Sequence, residues 1–90
     1  MKPLRWTAHA LLALEDRSID RAKVEEAIAA PELSALDPPR RVVLMRRYFD
    51  DHLGRQMLLR VVVEETRQER VVVTVYKTSR IARYLEEPES

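Results

Sequence analysis

Two hydrophobic periods divide this chain. Up to about residue 30 the apolar positions recur three and four residues apart, and from Val42 onward they alternate. The first period predicts helices and the second predicts strands. Thr7 is placed to cap a helix over roughly 8–16, its hydroxyl accepting an N–H of the first turn. On that helix Leu11 and Leu14 share one apolar face with Leu12 flanking it. His9 and Ala13 form a neighbouring stripe that Arg17 extends. A second helix follows Asp20 as N-cap, with Ile19 and Val24 at the two positions of a hydrophobic staple. Val24, Ala27 and Ile28 carry its stripe, and Pro31 closes it because its ring and missing N–H oppose continuation. Pro38 and Pro39 stiffen the connection to the next part.

Three strands are expected at Val42–Phe49, Met57–Glu64 and Arg70–Lys77, with turns at Asp50–Gln56 and Thr66–Glu69. Consecutive antiparallel pairing is the simplest topology. Alternation makes Leu59, Val61, Val63, Val71, Val73 and Val75 the core set under the helices. The opposite face then presents Arg60, Val62 and Glu64 beside Val72, Thr74 and Tyr76. Arg46 and Tyr48 share one side of the first strand and Met45, Arg47 and Phe49 the other, sets that a one-residue slip would exchange. Thr78 or Ser79 is placed to cap a short C-terminal helix whose Ile81, Tyr84 and Leu85 dock back. The expected fold class is α+β: two N-terminal helices packed on a three- or four-stranded antiparallel sheet, with that short helix at the end.

Ninety residues make one domain, 1–90, with no room for a second core. A domain of this size has a stability of roughly 5–9 kcal/mol. No cysteine is present, so neither a disulfide nor a thiolate zinc site can supplement the core, and homodimerisation is expected to relieve edge strands or an apolar face. Ala8–Leu14 faintly resembles a signal segment, but His9 interrupts it and Glu15-Asp16-Arg17 ends it. No apolar run approaches the roughly 20 residues of a membrane span. The expectation is a cytoplasmic protein without membrane contact. Glu86, Glu87 and Glu89 mark 86–90 as a flexible acidic tail.

The formal charge is only +1, yet Arg40, Arg41, Arg46, Arg47, Arg55 and Arg60 crowd one segment against Asp50 and Asp51. Folding can therefore gather a basic patch from a nearly neutral chain. His9 is the candidate proton-transfer residue because imidazole titrates near neutrality, and a structural hydrogen bond is its other use. Thr74-Val75-Tyr76-Lys77-Thr78-Ser79-Arg80 places a ring that can stack on a base beside cations that can hold phosphate. A solvated sheet face with an aggregation-resisting edge lysine accounts for the same residues. Arg17 either reaches a phosphate or pins the two helices, and Tyr48 is a sheet-face ring or a dimer contact. His52, in a turn with Asp50 and Asp51, reads as solvated. Two histidines and scattered carboxylates make no metal motif, and neither a phosphate-cradling glycine loop nor HExxH occurs. No cofactor and no metal are expected.

The order His9-Ala10, Arg17-Ser18-Ile19, Val24-Glu25-Glu26-Ala27-Ile28 and Pro31-Glu32 resembles the opening of the DUF4258 family. Tyr48, Gly54-Arg55, the run Leu58–Val63 and Val72-Val73-Thr74-Val75-Tyr76 resemble its second half. The family pattern carries an arginine four residues after the histidine and a glycine before the isoleucine. Ala13 and Ser18 stand there in this chain. That family is in turn similar to the small RelE/BrnT-like toxins and ribonucleases. The resemblance implies helices on an antiparallel sheet whose exposed side meets RNA, with His9, Arg17, Thr74 and Tyr76 at the family's recurring positions.

The leading expectation is therefore a metal-independent RNA-binding or ribonuclease-like domain of the toxin type. His9, Arg17 and Tyr76 would be its catalytic set, and Arg46, Tyr48, Arg60, Thr74, Lys77 and Arg80 its RNA-binding set. The alternative is a non-enzymatic module, a degenerate toxin or antitoxin-like subunit, with a cognate antitoxin or other protein on its tyrosines and edge strand. DNA binding is weaker, since neither N-terminal helix is basic enough to act as a recognition helix.

Overall fold

The computed structural model describes residues 2–85, and the acidic tail expected at 86–90 lies outside them. Five strands and three helices follow in the order β1 (Leu4–Trp6), α1 (Ala8–Asp16), α2 (Arg21–Ala29), β2 (Leu33–Asp37), β3 (Arg41–Asp50), β4 (Arg55–Glu65), β5 (Arg70–Thr78) and α3 (Ile81–Leu85). The strands form one sheet in the order β1-β5-β4-β3-β2. β1 runs parallel to β5, and every other pairing is antiparallel.

The α+β class stands, but the three- or four-stranded antiparallel sheet does not. The sheet has five strands, is mixed, and begins with a strand rather than a helix. β1 is three residues long, too short to display a period. β2 forms a hairpin with β3 around Pro38–Pro39, and Ala35 alone among its residues is half-buried, so no apolar alternation announces it.

Helices α1 and α2 cover one face. Ala10, Ala13, Ile19, Val24 and Ala27 meet Leu44, Leu59, Val61, Val63, Val72 and Val75 there. The buried stripe of α1 is alanine; of the leucines expected on its apolar face Leu14 packs against this core, whereas Leu11 and the flanking Leu12 are 43% and 58% exposed. Small side chains let the helix sit close on β5. The other face carries Val43, Met45, Leu58 and Val62, and α3 lays Ile81, Tyr84 and Leu85 against it. It is an apolar second core rather than the polar surface expected there.

A bulge redistributes the valines of β5. Val62 pairs with Thr74 and Val63 with Val72, so Val73 is left over between them. Of the six residues expected under the helices, Leu59, Val61, Val63 and Val75 are there. Val71 and Val73 are not: Val71 is opposite Glu64 on the other face, Val73 packs on the second cluster, and Val72 takes the inner position. A single inserted residue reverses the alternation on either side of it.

Local signals place the helices well. Thr7 Oγ1 accepts the Ala10 N–H at 3.0 Å and lies 3.1 Å from the carbonyl oxygens of Val72 and Val73, so the N-cap also fastens α1 to β5. At the other end the Ile19 N–H donates to Leu14 O and the Ser18 N–H to Glu15 O. This is the Schellman closure, in which the residue just past the helix takes a left-handed conformation, and Ser18 has φ +50°. Ser18 stands where the related pattern has glycine, and the backbone supplies the reason. Ser18→Gly is expected to raise unfolding stability by about 1 kcal/mol, read as an upward shift of the urea midpoint, because it removes the Cβ penalty of the left-handed region.

Candidate functional site

The polar residues near the end of β5 divide into two groups on opposite faces of the sheet. Register decides the division. Arg46 pairs with Leu59 and Tyr48 with Met57, and Lys77 lies opposite Leu59 on β5, so these three point toward the helices. Arg60 pairs with Tyr76, and Thr74 with Val62, so those three belong to the α3 face.

The first group is structural. Asp50, at the end of β3, is 1% exposed and fully engaged. Its Oδ2 accepts the Lys77 ammonium at 2.7 Å and the Tyr48 hydroxyl at 3.0 Å. Its Oδ1 accepts the N–H groups of His52 at 2.9 Å and Leu53 at 3.0 Å, which folds the β3–β4 turn back to Gly54 at φ +65°. Lys77 also donates to Ser18 O at 3.3 Å. The bonded Lys77 ammonium outweighs burial and, with the Leu53 N–H and the Tyr48 hydroxyl, lowers the Asp50 carboxyl to about 2. Burial, then the Asp50 hydrogen bond, push the Tyr48 phenol upward, so it remains a donor. Arg46 donates to Ala30 O at 2.8 Å at the end of α2. The structure therefore places Arg46, Tyr48 and Lys77, three residues of the expected RNA-binding set, in internal contacts on the helix face. Asp50, read from sequence as part of a solvated turn, is the organising residue. Its only sequence signal is an aspartate four residues before the sole glycine.

A groove of about 380 Å³ beside this network is lined by Glu15, Ser18, Asp20, His52 and Arg21 among others, the last paired with Glu25. Two carboxylates at its wall oppose an anionic ligand.

The second group surrounds an edge. β1 pairs with β5 only as far as Val72, so the outer side of β5 beyond that point has no strand. Tyr76 emerges there, 41% exposed. The Arg17 guanidinium, at the C-cap of α1, reaches its ring at 5.2 Å from the centroid. Across the strand pair Arg60 stacks at 4.2 Å on Tyr84 of α3, and Arg83 lies 5.9 Å from the same ring. Arg80 is exposed at the entry to α3. Arginine and tyrosine thus alternate around the end of β5. None of Arg17, Arg60, Arg80 and Arg83 pairs with a carboxylate among the described residues, although eight ion pairs engage other cations of the chain.

His9 is exposed near the start of α1, and none of the hydrogen bonds among the described residues engages its ring. Eight residues of helix separate it from Arg17, roughly 12 Å of rise. The structure thus joins Arg17 to Tyr76 without bringing His9 to either. Among the described residues no cluster of histidine and carboxylate side chains could hold a metal ion, and no helix is long and apolar enough to cross a membrane.

The Asp50 network predicts an acid-sensitive fold. Its pKa falls from 3.8 to about 2 on folding, so the stabilisation is complete above the unfolded value and is lost as pH drops through the folded one. The stability difference between wild type and Asp50→Asn is expected to narrow by about 2 kcal/mol from pH 5 to pH 2 in urea titrations. At neutral pH Lys77→Met is expected to destabilise by about 3–5 kcal/mol, because it strands a buried charge.

No curated protein and no solved structure matches this chain. One family model does, the domain of unknown function DUF4258, over residues 6–77. The match runs from Trp6 in β1 to Lys77 in β5, taking in both helices of the inner face, the Asp50 network and Tyr76. The chain belongs to the DUF4258 family.

Proposed function

We propose that the arginine–tyrosine edge at the end of β5 binds single-stranded RNA. One observation carries this reading: four guanidinium groups without carboxylate partners among the described residues, Arg17, Arg60, Arg80 and Arg83, gather with the Tyr76 and Tyr84 rings at one end of β5. Unneutralised arginines beside rings suit a strand whose phosphates and unstacked bases alternate at similar spacing. A duplex is a poorer fit, since the edge presents no basic helix of groove-reading length; α3 spans five residues. Kinship with the RelE/BrnT-like toxins is part of the same proposal, supported by helices on a sheet with a basic edge.

Binding rather than cleavage is the activity supported. Transesterification of RNA needs an acid and a base within hydrogen-bond reach of one phosphodiester. No hydrogen bond among the described residues joins His9 to Tyr76, and roughly 12 Å of helix rise lies between His9 and the arginine that touches Tyr76. A protein partner is a second reading favoured by one feature. The edge strand β2 leaves Leu36 86% exposed beside an unpaired backbone rim, which suits strand addition.

Fluorescence anisotropy with a ten-nucleotide RNA tests the proposal. Three or four phosphate contacts predict a slope of log K against log salt of about −2 to −3. Arg17→Gln and Arg83→Gln should each reduce that slope by about 0.7. Tyr76→Ala should weaken binding by about 1–3 kcal/mol, and His9→Ala should leave affinity within about twofold. A salt-independent affinity, or equal affinity after all three edge substitutions, contradicts the proposal.

A further inference from the structure

Two polar atoms on the α3 face have no hydrogen-bond partner among the described residues. They are Thr74 Oγ1 and Arg60 Nε, both shielded from solvent. Folded proteins rarely leave such atoms unmatched, and a native exception calls for a physical reason. Both atoms can donate: a guanidinium Nε–H does nothing else, and a threonine hydroxyl does so readily. Both also lie on one surface. Arg60 pairs with Tyr76 and Thr74 with Val62, which makes Arg60 and Thr74 diagonal neighbours on adjacent strands, roughly 7–8 Å apart. That is a backbone separation, and side chains of diagonal neighbours on one face can lean toward one another and meet a single phosphate. Thr74 is 7% exposed, so its hydroxyl belongs to the floor of the surface and not to its rim.

What covers Arg60, and the apolar cluster that includes Val62 opposite Thr74, is α3. The Tyr84 ring lies on the Arg60 guanidinium at 4.2 Å, and Ile81 and Leu85 complete the contact with the second apolar cluster. That cover is slight: α3 spans five residues and has no fully buried side chain. An aromatic ring flat on an arginine is also the arrangement that a nucleobase adopts when protein arginines hold a single strand.

We infer that Arg60 and Thr74 form a phosphodiester subsite of the RNA edge, and that α3 closes it in the free protein, with Tyr84 holding on Arg60 the place of a stacked base. This rests on the RNA reading above and adds its regulation. Binding of a strand lifts α3, the oxygens of one phosphate accept from the Arg60 Nε–H and the Thr74 hydroxyl, and a base replaces Tyr84 on the guanidinium. The closed form subtracts from the apparent affinity in proportion to its population.

Anisotropy with the same RNA, using full-length protein, tests this. Tyr84→Ala is expected to tighten binding by about three- to tenfold, because the closed state loses its main contact. Thr74→Val keeps shape and removes one donor. It is expected to weaken binding about five- to tenfold with no fall in melting temperature, since the lost hydroxyl had no partner to lose. RNA should shift the Arg60 Nε–H resonance of the wild-type protein. Inorganic phosphate at equal concentration should leave it in place, because a lone anion brings no base to displace the tyrosine. Unchanged or weaker binding by Tyr84→Ala, undiminished binding by Thr74→Val, or an equal shift with phosphate alone overturns the inference while the RNA edge stands. Absence of RNA binding by wild type and Tyr84→Ala alike removes both.

Discussion

A buried carboxylate organises this small domain. Asp50 is enclosed at the end of β3, and its charge is tolerable there only because Lys77, Tyr48 and two turn amides all donate to it. Those donors come from β5, from β3 itself and from the β3–β4 turn, and Lys77 carries the linkage on to the carbonyl of Ser18 between α1 and α2. Three pieces of chain distant in sequence, the β3 end with its turn, β5 and the α1–α2 link, are therefore held at one point by a single ion pair. In a domain of ninety residues with no disulfide, such a point compensates for a thin core. It also consumes lysine and tyrosine side chains that would otherwise suit a ligand.

The sheet separates tasks by face. Its inner face, under α1 and α2, is densely apolar and made close-fitting by alanines on α1. Its outer face is apolar where α3 rests, with Thr74 and Arg60 set beside that cluster and Tyr76 further along β5 at the exposed edge. The bulge at Val73 lets valines serve both cores from one strand. An open edge arises where β1 stops short, and Tyr76 is exposed there beside Arg17 at the end of α1.

The basic character of this edge owes less to the number of arginines than to the location of the acids. Glutamates pair with Lys2, Arg5, Arg41, Arg47 and Arg70 around the far end and the opposite edge of the sheet. A chain of net charge +1 can then present a concentrated positive field at one corner.

Short-range physics was legible in the sequence. The Thr7 cap, the Ile19–Val24 staple, the termination of α2 before Pro31 and the three long strands all follow from neighbours a few residues apart, and each is present. Arg17 and Tyr76 could likewise be singled out, since residue type and spacing mark an arginine closing a helix and a tyrosine near a strand end. Long-range pairing decided the remainder. Strands β1 and β2 exist because β5 and β3 offer them edges, the bulge reverses the valines of β5, and Asp50 finds Lys77 across 27 positions of chain. Whether Tyr48, Lys77 and Thr74 faced solvent or core depended on the same pairings. Periodicity assigns a residue to a face, but only the packed sheet determines what lies against that face.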